Sequence, residues 1–241
     1  MKSPFHITIL FVFISTVLYS QLNPVPPINM SNVNLNPELV RSYIDNVRNN
    51  TLNYSSVSEK RTNVIGSPYL DENFRKVTVN ESPFQFMLRY NAYTDKLEFE
   101  NNNQVYDLNS PNNLIFKFSD TNKSIQKLNY TVNGKYTDGY LYLLKMGEKF
   151  ILYKKETVLL KYDEGANNSY VDHSKIRFNK TKPDYIVFYN NEYKLLPKNK
   201  KDLLNMFNGD VGLNEYLKSS KNNLKDDADF IKMVEYLDKN R

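Results

Sequence analysis

Few residues in this chain could act as a nucleophile or a general base. Cysteine is absent, and the two histidines are His6 and His173. Asp172, His173 and Ser174 have the residue types of a hydrolytic triad, but a triad is assembled from positions that are distant in sequence. A zinc site needs several histidine or cysteine ligands, which this chain does not supply. We therefore predict that His173 lies in a surface loop and is not catalytic.

A pair of carboxylates offers a different chemistry. Glu98 and Glu100 alternate with Leu97 and Phe99, which places both carboxylates on one face of a strand, with their backbone positions about 7 Å apart. Two carboxylates with different pKa values can hydrolyse glycosides. The same alternation is typical of any strand with one exposed face. A carboxylate-based hydrolase is therefore kept as an alternative, and no catalytic residue is assigned.

Residues 163–175 contain oxygen ligands of the kind that calcium prefers. These are Asp163, Glu164, Asn167, Asn168 and Asp172. Their spacing does not match an EF-hand loop. The sequence also contains neither a glycine-rich phosphate loop nor a dinucleotide-binding fingerprint. We predict no metal site and no cofactor, and we interpret this stretch as a solvated loop.

Residues 83–100 are the stretch around which the rest of the chain is organised. Apolar and polar residues alternate on both sides of a polar break at residues 91–95, which predicts a β-hairpin with one buried face. The apolar positions are Phe84, Phe86, Leu88, Tyr90, Leu97 and Phe99. Asn91 and Asp95 suit the turn, because short polar side chains can hydrogen-bond the local backbone.

The two-residue period continues in short segments up to residue 197. Turn signals such as Asn133-Gly134 and Asn190-Asn191 separate the segments and favour tight hairpins. Hairpin connections favour antiparallel strands over parallel βαβ units. Residues 139–145 are apolar on both faces, which predicts a strand deep in the sheet or between two layers. For residues 64–197 we predict an antiparallel sheet of about 8–10 strands, open, sandwich-like or half-barrel, in a mainly β, α+β fold.

After Pro197 the apolar spacing changes to three and four residues, the period of amphipathic helices. The apolar positions are Leu203, Leu204, Phe207, Leu213, Tyr216, Leu217, Phe230, Met233, Val234 and Leu237. Asn199 precedes Asp202 by three residues, which is typical of a helix start. Residues 198–241 are therefore predicted to form two or three short helices. Helices of this length are marginal alone, so they should dock on the sheet or on a partner.

The N-terminus has the features of a secretory signal peptide. Lys2 precedes about fifteen mostly apolar residues that end near Ser20, a run shorter than the roughly 20 residues that span a membrane. We predict a signal peptide over residues 1–20. An Asn- and Pro-rich leader that can form one short helix follows over residues 21–63. A secreted or periplasmic location without a transmembrane segment follows from this interpretation.

Three short stretches carry a resemblance to known proteins. They are GSPYL at residues 66–70, LRYNAYTDKLEF at residues 88–99, and YKLLP at residues 193–197 with lysine-rich helices beyond it. Over residues 66–241 the chain resembles uncharacterised secreted β-rich proteins of Bacteroidota. The resemblance implies export and brings no catalytic residues with it.

Net charge and tyrosine content help to decide between nucleic-acid binding and the binding of sugars or proteins. The formal net charge of +5 is spread along the chain, whereas a nucleic-acid footprint is clustered. The 19 tyrosines suit sugar or protein contacts, although strands favour tyrosine in any case. We expect an exported envelope protein that binds or scaffolds a protein, polysaccharide or lipid without catalysis. The alternative is a carrier that holds a lipid or another hydrophobic ligand in a cavity enclosed by the sheet.

Overall fold

The computed structural model describes residues 64–80, 82, 85–101, 103–163, 175–219 and 223–240. The strands are β1 Val64–Ile65, β2 Arg75–Val79, β3 Gln85–Asn91, β4 Lys96–Asn101, β5 Gln104–Asp107, β6 Ile115–Phe118, β7 Ser124–Val132, β8 Lys135–Met146, β9 Ile151–Lys155, β10 Val158–Asp163, β11 Lys175–Lys180, β12 Asp184–Tyr189 and β13 Glu192–Leu195. The helices are α1 Lys200–Met206, α2 Val211–Ser219 and α3 Asp227–Asn240. The predicted signal peptide, the leader, His173 and most of the candidate calcium ligands lie outside the described residues.

Ten strands form one antiparallel sheet that curls into a half-barrel, in the order β13-β12-β9-β8-β7-β6-β2-β3-β4-β5. The prediction of a mainly β, antiparallel fold followed by short C-terminal helices is confirmed. A second, smaller sheet has the order β1-β11-β10. It adds a parallel pair, β1 with β11, which the sequence did not indicate because β1 is only two residues long.

The central hairpin forms as its alternation predicts. In β3 and β4, Leu88 lies opposite Phe99 and Tyr90 lies opposite Leu97, so the apolar side chains share one face. The Asn91 side-chain oxygen accepts hydrogen bonds from the backbone N–H groups of Tyr93 and Thr94, both at 3.1 Å. These two bonds satisfy the turn locally and fix the hairpin register.

Strand β8 separates two hydrophobic clusters, as its two apolar faces predict. Tyr140 is 3% exposed and Leu141 is 0% exposed, and they belong to different clusters on opposite faces. We call the face that carries Tyr140 and Tyr142 the tyrosine face. Its cluster includes Val77, Leu88, Tyr90, Leu97, Phe116, Phe118 and Ile125. The cluster on the other face includes Leu128, Tyr130, Tyr153, Ile186 and Tyr193.

The C-terminal helices share a core with the sheet. The Asn199 side chain caps α1 by accepting the backbone N–H of Asp202 at 2.9 Å. The ring of Phe230 in α3 stacks on Tyr185 of β12 with centroids 3.8 Å apart. Fully burying one such side chain contributes roughly 1.5–3 kcal/mol, which short isolated helices lack. No helix in the described part of the chain is both long and apolar enough to cross a bilayer.

Candidate functional site

A cleft opens where the cluster on the tyrosine face meets solvent. Its cavity volume is about 90 Å³, smaller than the roughly 300–1,000 Å³ of pockets that enclose a whole small-molecule ligand, so the cleft is a shallow surface site. Strands β2, β3, β6 and β8, the β6–β7 turn and the segment after β9 each contribute to the lining. The side chains that line the cleft include Arg75, Arg89, Phe118, Lys123, Tyr142 and Glu156.

Tyr142 forms the aromatic floor of the cleft. Its ring packs edge-on against Tyr90, with centroids 5.7 Å apart and planes at 89°. Within the described residues the Tyr142 hydroxyl has no hydrogen-bond partner. The hydroxyl is also not fully buried. Burial, followed by the negative charges of Glu156 and Asp71, raises the pKa of Tyr142 well above its usual value. At neutral pH the hydroxyl is therefore protonated and able to donate.

Two ammonium groups flank the Tyr142 ring. The Nζ atoms of Lys123 and Lys154 lie 5.9 and 5.7 Å from the ring centroid. Lys154 is 7% exposed and pairs with Glu156 at 2.9 Å and with Asp227 at 2.7 Å. Lys123 is exposed and forms no ion pair with any described residue. Within the part of the chain that the structure describes, carboxylates thus neutralise one of these two cations and leave the other without a partner.

The guanidinium of Arg89 forms a fixed wall of the cleft. It lies over the rings of Tyr69 and Phe74, at 3.8 and 4.5 Å from their centroids. Its Nε and Nη2 atoms donate to the Glu98 carboxylate at 2.9 and 2.8 Å. A third donor, Nη1, reaches the Glu72 carbonyl at 3.3 Å. The planar guanidinium is held on its face and on its edges, which restricts its motion.

The two candidate catalytic carboxylates lie in different environments. Glu98 is 0% exposed, and both of its oxygens accept hydrogen bonds, from Arg89 and from the Asn91 amide at 2.7 Å. Glu100 is exposed. Neither residue lines the cleft. A hydrolase that uses Glu98 would require its carboxylate to leave these donors.

A second polar cluster locks the hairpin turn to β8 and β9. The Asp95 carboxylate pairs with the Lys155 ammonium and accepts the Tyr90 hydroxyl at 2.7 Å. Lys155 also donates to the Tyr140 carbonyl at 3.0 Å. Burial lowers the pKa of Lys155, although the charge of Asp95 opposes that effect. Because Tyr90 supports Tyr142, this cluster also fixes the floor of the cleft.

Sequence reasoning missed the cleft because its residues are far apart in the chain. Lys123, Tyr142 and Glu156 come from a turn, a strand and a connecting segment. The only signal was the tyrosine enrichment, including Tyr140 and Tyr142 on one face of β8. In the part of the chain that the structure describes, no group of three or more histidine, aspartate or glutamate side chains is arranged to hold a metal.

Comparison with known proteins found no matching family, no similar curated protein and no similar solved structure. The similarity of residues 66–241 to secreted proteins of Bacteroidota stays a prediction.

Proposed function

We propose that the protein is an exported, non-enzymatic binding protein of the cell envelope that holds a polysaccharide at the cleft floored by Tyr142. The proposal depends mainly on the Tyr142 hydroxyl, which has no hydrogen-bond partner within the described residues. This hydroxyl lies at the floor of a cleft that is lined by charged groups. A sugar presents apolar C–H faces and hydroxyl groups together. An aromatic ring with a hydrogen-bonding tip, set among charged side chains, matches both features.

The carboxylates at the cleft favour binding over catalysis. Glu156 is paired with Lys154 at 2.9 Å, and Asp71 is paired with Arg75 at 2.9 Å. A general base must be able to take a proton from the substrate. A carboxylate that is engaged by a cation is a weaker base and a better fixed acceptor for sugar hydroxyl groups.

Packing on the tyrosine face favours a surface ligand over an enclosed lipid. Val77, Leu97 and Ile125 are each 0% exposed and belong to one cluster. Side chains that fill the space over a sheet leave less room for an acyl chain. The carrier alternative needs that cluster to open, whereas the polysaccharide proposal needs no rearrangement.

A polysaccharide microarray tests the proposal with the purified mature chain. We expect binding to at least one class of polysaccharide, reduced by about tenfold or more in Tyr142→Ala, since truncating an aromatic hot spot of a binding site costs about 2 kcal/mol or more. Tyr136→Ala is the matched control, because Tyr136 is on the same strand, is 53% exposed and does not line the cleft. Absence of binding to every polysaccharide, or an equal loss in both variants, would refute the proposal.

A further inference from the structure

We propose that the polysaccharide unit bound at this cleft is an acidic sugar, whose anionic group contacts the Lys123 ammonium and the Tyr142 hydroxyl. This inference rests on the function proposed above and adds the class of ligand. It depends on the charge balance of the cleft and on the geometry of these two donors.

Among the described residues, the charge balance leaves one cation at the cleft without a carboxylate partner. Arg75 pairs with Asp71 and Asp120 at 2.9 and 2.7 Å. Arg89 pairs with the buried Glu98. Lys154 has its two carboxylate partners described above. Within the described residues Lys123 alone, among the cations around the Tyr142 ring and the cleft wall, has no carboxylate partner.

Both donors line the same cleft. Lys123 comes from the β6–β7 turn, and its ammonium lies 5.9 Å from the centroid of the Tyr142 ring. The Tyr142 hydroxyl extends from that ring and has no hydrogen-bond partner among the residues that the structure describes. An anionic oxygen placed between them would accept two charge-assisted hydrogen bonds, which are shorter and stronger than bonds between neutral groups. A carboxylated sugar can meet this pair while its ring contacts the aromatic floor.

The carboxylates around the cleft limit how much negative charge it can hold. Glu156 and Asp71 both line the cleft, and both are close enough to raise the pKa of the Tyr142 hydroxyl. A second anionic group on the ligand would approach these carboxylates, and like charges across an interface are unfavourable. The cleft should therefore prefer one acidic group per sugar over a densely sulfated chain.

Isothermal titration calorimetry with defined oligosaccharides tests this inference. The probes are tetramers of galacturonate, glucuronate and mannuronate, a neutral galactose tetramer and a heparin tetramer. We expect at least one uronate tetramer to bind the wild-type chain about tenfold more tightly than the neutral tetramer, and more tightly than heparin. Lys123→Met and Tyr142→Phe should each remove most of that preference, since each takes away one donor and keeps the bulk.

Lys117→Met is the matched control. Lys117 is exposed on β6 and does not line the cleft, so the substitution removes the same charge from outside the site. Equal affinity for the neutral and uronate tetramers, tighter binding of heparin, or an equal effect of Lys117→Met and Lys123→Met would overturn the acidic ligand while leaving polysaccharide binding in place. Absence of binding to every oligosaccharide, together with a negative microarray, would overturn both proposals.

Discussion

Replacing Glu98 by glutamine measures what the buried carboxylate contributes to the fold. One Glu98 oxygen accepts from Arg89 and from the Tyr69 hydroxyl at 2.9 Å, and the other accepts from the Asn91 amide at 2.7 Å. A glutamine keeps one acceptor and turns the other end into a donor. If its oxygen faces Arg89, its new N–H group faces the Asn91 amide, which is itself a donor.

Asn91 cannot relieve this conflict by turning its amide. Its oxygen accepts the backbone N–H groups of Tyr93 and Thr94, so a flip would break both bonds of the turn. Removing one partner of a buried ion pair typically costs about 3–5 kcal/mol. Arg89 is 16% exposed and regains some hydration, so we expect a loss of about 3 kcal/mol in the free energy of unfolding.

Urea denaturation followed by circular dichroism provides the measurement. The midpoint should fall while the slope with urea stays constant, because the surface exposed on unfolding does not change. Glu100→Gln is the matched control, since Glu100 lies two residues along the same strand face and is exposed. Its effect should stay within about 0.5 kcal/mol. If the two variants were equally stable, the buried network would not contribute as argued.

Three further changes test other parts of the packing. Gly139→Ala should destabilise the fold by about 1–3 kcal/mol in urea titrations. The reason is that the Cβ of the new alanine would lie 2.2 Å from an Asp95 oxygen, which other partners hold in place. An unchanged urea midpoint would contradict this expectation. Tyr193→Phe should be as stable as the wild type or up to about 1 kcal/mol more stable, because its buried hydroxyl has no partner within the described residues; a clear loss in thermal melts would show a missed contact. Asp238→Asn should make the free energy of unfolding depend less on pH in the acid range. Burial raises the pKa of Asp238, but hydrogen bonds from the backbone N–H groups of residues 148–150 outweigh burial and leave the pKa below its ordinary value of 3.8. The stability that depends on the Asp238 carboxylate is therefore present above pH 3.8 and is lost as the pH falls below it; an identical pH dependence in the variant would contradict the assignment.

The strands and turns were predictable because their signals are local. Asn133 and Gly134 adopt φ of 52° and 75°, and Asn190 and Asn191 adopt 52° and 61°, which is the left-handed backbone that a tight hairpin requires. The helices were predictable for the same reason. Their apolar spacing and the cap at Asn199 depend only on neighbours within a few residues.

The burial of Glu98 could not be predicted from the same alternation. Its strand position indicated an exposed face, and Glu100 two residues later follows that pattern. Glu98 departs from it because Tyr69, in an irregular segment, covers it and donates a hydrogen bond. An irregular segment has no periodicity from which its packing could be predicted. The burial of the Glu98–Arg89 pair depends on the position of Tyr69 in that segment.

The hairpin that the sequence singles out also positions the candidate site. The Glu98–Arg89 pair fixes one wall of the cleft, and the Asp95–Lys155 pair holds Tyr90, on which the Tyr142 floor rests. A binding surface gains affinity when its side chains are ordered before the ligand arrives, because less entropy is lost on association. The buried polar groups therefore have a consequence beyond stability. They hold the aromatic floor and the wall in place before a ligand arrives, whereas Lys123 is exposed at the rim and would lose side-chain entropy when it contacts the ligand.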